Sequence, residues 1–230
     1  MSAGILVGFD EGEVHVPPEA TVGLAAFRRW ALSEDCPDYG RVDFIEGRIE
    51  INDMAGEELF AHGTLKGELH GSLLSIVKKL DLGYVFTDST RVSSPQANLS
   101  AEPDVVVVSY DAIENGRVRL VPKATGESGR YVEVEGAPDL IVEVVSDGTV
   151  RKDTIRLPHA YFKAGVQEFW LADGRHEELT FVVHRRGETQ FEPVTIDAEG
   201  FQPSSVLGTS FRLDRSRDRL GAWRYDLVNQ

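Results

Sequence analysis

Residues 136–149 read GAPDLIVEVVSDGT, and they set the problem of this chain. Leu140, Ile141, Val142, Val144 and Val145 are apolar, and the run lacks the polar alternation of a strand with one wet face. Such a run suits a strand covered on both sides. Asp139 and Glu143 nevertheless sit within it, and a buried carboxylate is costly unless its charge is compensated. The stretch AEPDVVVVSYD at 101–111 repeats the grammar, with Pro103-Asp104 ahead of Val105 to Val108. Two buried strands thus each carry an acid at or near one end.

Outward from these strands the pattern mixes helices and strands. Residues 17–32, behind two prolines, read as a short helix with Leu24, Phe27 and Leu32 as its apolar stripe. RVDFIEGRIEIND alternates about Glu46-Gly47 and predicts a hairpin. Leu65, Leu69, Leu73, Ile76, Val77 and Leu80 recur three and four apart, which predicts a long helix from about Gly56 to Leu80. GYVFTD and TRVSS read as strands, and 112–136 as a loop with one short strand pair. A helix is expected within 154–164, with Pro158 in its first turn and Gly165 as its cap, then strands at VQEFWLAD and LTFVVHR. The tail after residue 196 reads as irregular. The order predicts an α/β sandwich around a mixed sheet.

At 230 residues the chain suits one core and a single domain over 1–230, with no linker, repeat or low-complexity tract. No apolar run approaches a membrane span, and MSAGILVGFDEGEV lacks a basic segment followed by an apolar one. The one cysteine, Cys36, rules out an intrachain disulfide and reads as a small half-buried residue. A cytoplasmic protein away from membranes is expected. The net charge of −14 disfavours DNA, since phosphate binding usually shows as a basic footprint. The densest basic stretch, FRLDRSRDR at 211–219, is interleaved with Asp214 and Asp218 and reads as a solvated, self-paired surface.

The chain has no Gly-rich phosphate loop, no Gly-x-Ser-x-Gly, no His-Glu-x-x-His and no paired cysteines. Carboxylates remain: Asp104, Asp139 and Glu143, with Glu58 and His62 one helical turn apart. Two acids meeting at adjacent strand ends repel and hold protons unless a cation lies between them. Mg²⁺ suits that place, being held by one or two carboxylates while keeping several waters. Asp139 follows Pro138 and fits a turn better than ligation. Glu58 reads as a solvated helix acid, and Tyr161, Phe169 and Trp170 as core aromatics.

EPDVVVVS, APDLIVEVVS and RKDTIRLPHAYFKAGVQEFWLAD resemble the Uma2 family of endonucleases, which has the PD-(D/E)xK restriction-endonuclease-like fold. DFIEGRIEIND followed by EELFAH is similar to that family's N-terminal half, so the resemblance spans about residues 20–210, leaving 211–230 as a tail. It implies a mixed central sheet flanked by helices, Mg²⁺-dependent cleavage of DNA (Mn²⁺ as a substitute) and a homodimer. By position it implies Asp104 and Glu143 as metal-binding acids, the Val144 carbonyl as a further ligand and His62 facing the site. Asp153 and Tyr161 match family positions in the helix that follows.

One departure counts against activity, so turnover on DNA is expected to be weak or absent. The family's lysine, four residues beyond that aspartate, is replaced by Leu157, and the position two after Glu143 is Val145. Lys152 and Arg156 are the nearby cations left to fill the role, Lys152 being counted among the catalytic candidates. Two other readings stay open: a catalytically silent homodimeric binding or regulatory module, and a metal-dependent hydrolase of a small phosphorylated substrate. The segment FVVHRRGETQFEPVTI is the expected edge hairpin for dimerisation.

Overall fold

A computed structural model describes residues 5–9, 12–36, 41–52 and 58–230. A hairpin of β1 (Ile5–Phe9) and β2 (Gly12–Val16) opens the chain, followed by a 3-10 turn (Pro18–Val22) and helix α1 (Leu24–Ala31). Next come β3 (Arg41–Ile45), β4 (Arg48–Asn52), a π-type turn (Leu59–Thr64) and α2 (Leu65–Lys79). Strands β5 (Gly83–Thr87), β6 (Arg91–Ser94), β7 (Leu99–Ala101) and β8 (Val105–Ser109) lead to a short α3 (Tyr110–Glu114). Then follow β9 (Val118–Pro122), β10 (Tyr131–Gly136), β11 (Leu140–Val144), a second π-type turn (Lys152–Arg156) and α4 (Leu157–Ala164). The chain closes with β12 (Glu168–Asp173), β13 (Thr180–Arg186), β14 (Phe191–Pro193), β15 (Gln202–Ser204), β16 (Thr209–Arg217) and β17 (Trp223–Asn229).

The central sheet has six strands in the order β14-β13-β12-β11-β8-β5, and β11 pairs parallel with β12 but antiparallel with β8. This is the expected mixed sheet. A second six-stranded sheet, β4-β3-β7-β6-β10-β9, covers one of its faces together with α4. On the other face lie α2 and a three-stranded sheet, β15-β16-β17. Strand β11 is therefore covered on both sides: Ile141 packs with Val106, Leu157 and Tyr161, while Leu140, Val142 and Val144 pack with Leu69, Leu73 and Trp170. A third cluster sets Phe27 and Trp30 of α1 against Val42 and Phe44.

Local expectations hold in part. The β3–β4 hairpin turns at Glu46 and Gly47, both at positive φ (50° and 88°), as a tight two-residue turn requires. The 112–136 segment does hold one strand pair, β9 with β10. Gly165 caps α4 at φ 95°. In α1, Leu32 lies outside the helix and is exposed, and Trp30 fills the apolar stripe instead. The long helix's expected start at Gly56 lies outside the described residues.

Two expectations are corrected. The helical path after β11 begins before Thr154, since the Asp153 amide already donates to the Thr149 carbonyl at 2.9 Å. Pro158 lies in the first turn of α4, as expected, but the wide turn Lys152–Arg156 runs straight into that helix from the N-terminal side. A proline lacks the amide hydrogen and its ring crowds the carbonyl four residues back; a locally wider turn absorbs both. The tail is not irregular: β15, β16 and β17 form an antiparallel sheet whose Phe211, Leu213, Tyr225 and Leu227 are buried in the cluster with α2.

Candidate active site

The ladder between β8 and β11 pairs Val105 with Val142, so one step further outward Asp104 faces Glu143. The two acids lie on adjacent strands, as the metal hypothesis required. The Val144 amide donates to Asp104 Oδ2 at 2.7 Å and fixes that side chain. Tyr161, on α4, donates from its hydroxyl to Glu143 Oε1 at 2.5 Å. Glu143 Oε2 is buried and has no hydrogen-bond partner among the described residues.

Burial, with Asp104 and Asp153 as like-charged neighbours, pushes the Glu143 carboxyl well above the usual carboxylate range, against the pull of Arg41 and of the Tyr161 hydroxyl. Asp153 is pushed up to about 6, by burial and then by Asp104, although Lys152 and the Thr149 hydroxyl oppose the rise. Burial and the neighbouring Glu143 carboxyl push the Tyr161 hydroxyl well above its ordinary value, so it serves as a donor. Burial, and then repulsion between neighbouring carboxylates, favours the neutral forms of Glu143 and Asp153. A cation placed between the acids would relieve that repulsion.

Cations do approach from three elements. Arg41, on β3, places Nη1 3.7 Å from Asp104 Oδ1, and its Nε is buried without a partner. Burial opposes the Arg41 charge, yet Asp43, Asp104 and Glu143 outweigh it and raise its pKa. Lys66, on α2, lies 4.0 Å from Asp104 Oδ1. Lys152 is 2% exposed and its Nζ lies 3.1 Å from Asp43 Oδ2. Burial alone would raise the Asp43 pKa, but Lys152, Arg41 and Arg91 together hold it below the usual range.

The expected residues are therefore mostly brought together. His62 is buried in the turn before α2, its Nε2 3.9 Å from Asp104 Oδ2. Lys152 reaches the cluster, whereas Arg156 pairs with Glu50 at its margin. Leu157 is buried among Ile141, Ala160 and Tyr161. Glu58 caps the π-type turn by accepting from the Ala61 amide. Asp139 is at the opposite end of β11, accepting from the Ser109 amide at 2.7 Å and pairing with Arg117. Phe169 and Trp170 are core residues, while Tyr161 is both core and site.

Arg41, Asp43 and Lys66 were not anticipated. The signal for Asp43 was faint: in the sequence only Ile45 hints that the strand face it shares is covered, and the structure packs that residue into the main core. Among the described residues, no group of three or more His, Cys, Asp or Glu side chains converges as a metal cage. Asp104 and Glu143 supply carboxylate oxygens alone, a donor set suited to a hard cation that keeps most of its water. The partnerless Glu143 oxygen fits such an ion.

A mixed sheet with acids at two facing strand ends and a helix returning over them defines a nuclease-like α/β fold. A crystal structure at 1.96 Å resolution of a "putative nuclease" from Anabaena variabilis ATCC 29413 is similar in fold, with a TM-score of 0.57 and 20% identity, over 81% of this chain and 91% of that one. No curated protein matches the chain. The chain belongs to the Uma2 family, described as "Putative restriction endonuclease", whose model matches residues 24–216.

Proposed function

We propose that this chain is a Mg²⁺-dependent DNA endonuclease that hydrolyses phosphodiester bonds at the Asp104–Glu143 pair. The observation that carries the reading is the buried, partnerless Glu143 Oε2 beside a second buried carboxylate. Mg²⁺ bound there would supply Lewis-acid neutralisation of charge on a phosphodiester. Tyr161 occupies Glu143 Oε1, and the Val144 amide occupies Asp104 Oδ2. Glu143 Oε2, Asp104 Oδ1 and the Val144 carbonyl are then the oxygens assigned to the ion. His62, its Nε2 3.9 Å from Asp104 Oδ2, stands on the helix side of the pair and completes the proposed catalytic set.

Lys152 takes over the charge that Leu157 cannot supply. It is buried in the cluster, whereas Leu157 is committed to the core. The net charge of −14 disfavours a polyanion at long range, yet Arg41, Lys66 and Lys152 put local positive charge around the acids. A two-fold dimer through the β13–β14 edge belongs to the same reading, with light scattering as its check.

Nicking of supercoiled plasmid with Mg²⁺ or Mn²⁺ tests the proposal. Wild type is expected to nick, Asp104→Asn not to, and Lys152→Gln to nick about a hundredfold more slowly, as when a charge acting in the transition state is removed. A folded, Mg²⁺-binding wild type that nicks nothing would contradict it and leave the silent binding module, which the apolar Leu157 already favours.

A further inference from the structure

The C-terminal sheet has two unlike faces. On its outer face Arg212 pairs with Asp214 and Arg224 with Asp226, the self-neutralised surface its sequence suggests. On its inner face Phe211, Leu213, Tyr225 and Leu227 are buried over α2. By strand alternation the same face continues as Arg215 and Arg217, with Trp223 paired opposite Arg217. Both guanidiniums stack on the Trp223 ring, at 3.9 Å and 3.2 Å from its centroid. Arg215 donates to the carbonyls of Gly174, His176 and Glu177, which leaves its charge uncompensated by any carboxylate among the described residues. Arg217 donates to the Gly221 carbonyl at 2.9 Å, and its one carboxylate neighbour, Glu177, is 3.8 Å away and largely exposed.

This overhanging end leads to the active site. A Cβ on Gly174 would lie 2.6 Å from the Tyr225 hydroxyl and 2.9 Å from the Ala61 carbonyl, so β17 sits against the turn that carries His62. Leu59 and Phe60 of that turn are exposed beside it.

We propose that Arg215, Arg217 and Trp223 form the surface along which a single nucleic-acid strand approaches the Asp104–Glu143 site. The inference rests on the nuclease reading and names the path of its substrate. Charge complementarity selects the occupant: two guanidiniums held on one ring next to the proposed phosphodiester-cleaving site, in a chain of net charge −14, match a phosphate backbone. Contact with the ring restrains both guanidiniums and limits the rotamer freedom lost on binding.

The test is fluorescence anisotropy of a labelled single-stranded oligonucleotide in EDTA across a salt series, beside plasmid nicking with Mg²⁺. Arg217 is half exposed, so Arg217→Glu is expected to fold, with circular dichroism as the check. Arg217→Glu should weaken binding about tenfold and reduce the salt slope by about 0.7, the loss of one single-strand phosphate contact. Trp223→Phe should weaken it several-fold, while the outer-face Arg212→Glu changes it less than about twofold. Asp104→Asn should stop nicking and leave binding intact. Equal losses in Arg217→Glu and Arg212→Glu, or no binding by wild type at low salt, would overturn the strand path. Binding that depends on Arg217 without any nicking would instead overturn the nuclease reading and keep the surface.

Discussion

Glu168 and Glu143 stand on neighbouring parallel strands, both buried, and their surroundings differ completely. Glu168 accepts from five donors: the Trp170 indole, the Ser204 and Ser205 hydroxyls, and the Ser205 and Val206 amides. It seals the central sheet to the loop entering the C-terminal sheet. Glu143 accepts from the Tyr161 hydroxyl and leaves its second oxygen without a donor. Asp139 belongs with Glu168, fully engaged by Ser109 and Arg117 at the closed end of β11. Burial therefore does not tell the two acids apart. Unused hydrogen-bonding capacity does, because a native fold otherwise satisfies what it buries.

The largest expected effect comes from breaking the sealed end. Glu168→Ala strands several buried donors and should cost on the order of 3 kcal/mol or more in urea unfolding. Leu157→Lys should cost on the order of 3 kcal/mol as well, since it buries a cation in an apolar cluster, and it should not raise nicking. A gain of activity at wild-type stability would show that the charge was needed at Leu157 after all. At the open end the sign reverses: Glu143→Gln removes a carboxyl whose charge is disfavoured by burial and then by Asp104 and Asp153, and should stabilise the metal-free protein by about 1 kcal/mol. A loss comparable to that of Glu168→Ala would erase the distinction between the two acids.

A smaller effect depends on pH. Asp153 has its folded pKa raised from an ordinary 3.8 to about 6. An acid shifted upward favours the folded state while protonated, so its contribution is present below 3.8 and lost as pH climbs through about 6. Thermal melts without divalent ions should show Asp153→Asn gaining on wild type over that window and levelling above it. A difference flat in pH would place Asp153 outside the coupled cluster.

How far the sequence disclosed this arrangement depended on which faces each element buries. Strands β8 and β11 were legible because both their faces are apolar, so Asp104 and Glu143 stood out as misfits. Their meeting at facing strand ends came from family resemblance, since no local period encodes which strands become neighbours. Arg41 and Asp43 were hidden because β3 alternates like a half-wet strand, although the central sheet and α1 cover its two faces. Strands β16 and β17 escaped notice because their inner face passes from Phe211 and Leu213 to Arg215 and Arg217, which breaks the apolar alternation midway. The wide turn before Pro158 compensates for a proline that sequence rules confine to a helix start.

The central claim is that Glu143 keeps an oxygen for a cation. Isothermal titration of the metal-free protein with Mg²⁺ at neutral pH tests it most directly, beside Asp104→Asn, Glu143→Gln and Asp139→Asn. One Mg²⁺ bound by wild type and by Asp139→Asn, with binding weakened at least about tenfold in the other two, is the predicted result. Mg²⁺ binding unchanged in Glu143→Gln, or absent from folded wild type, would contradict it.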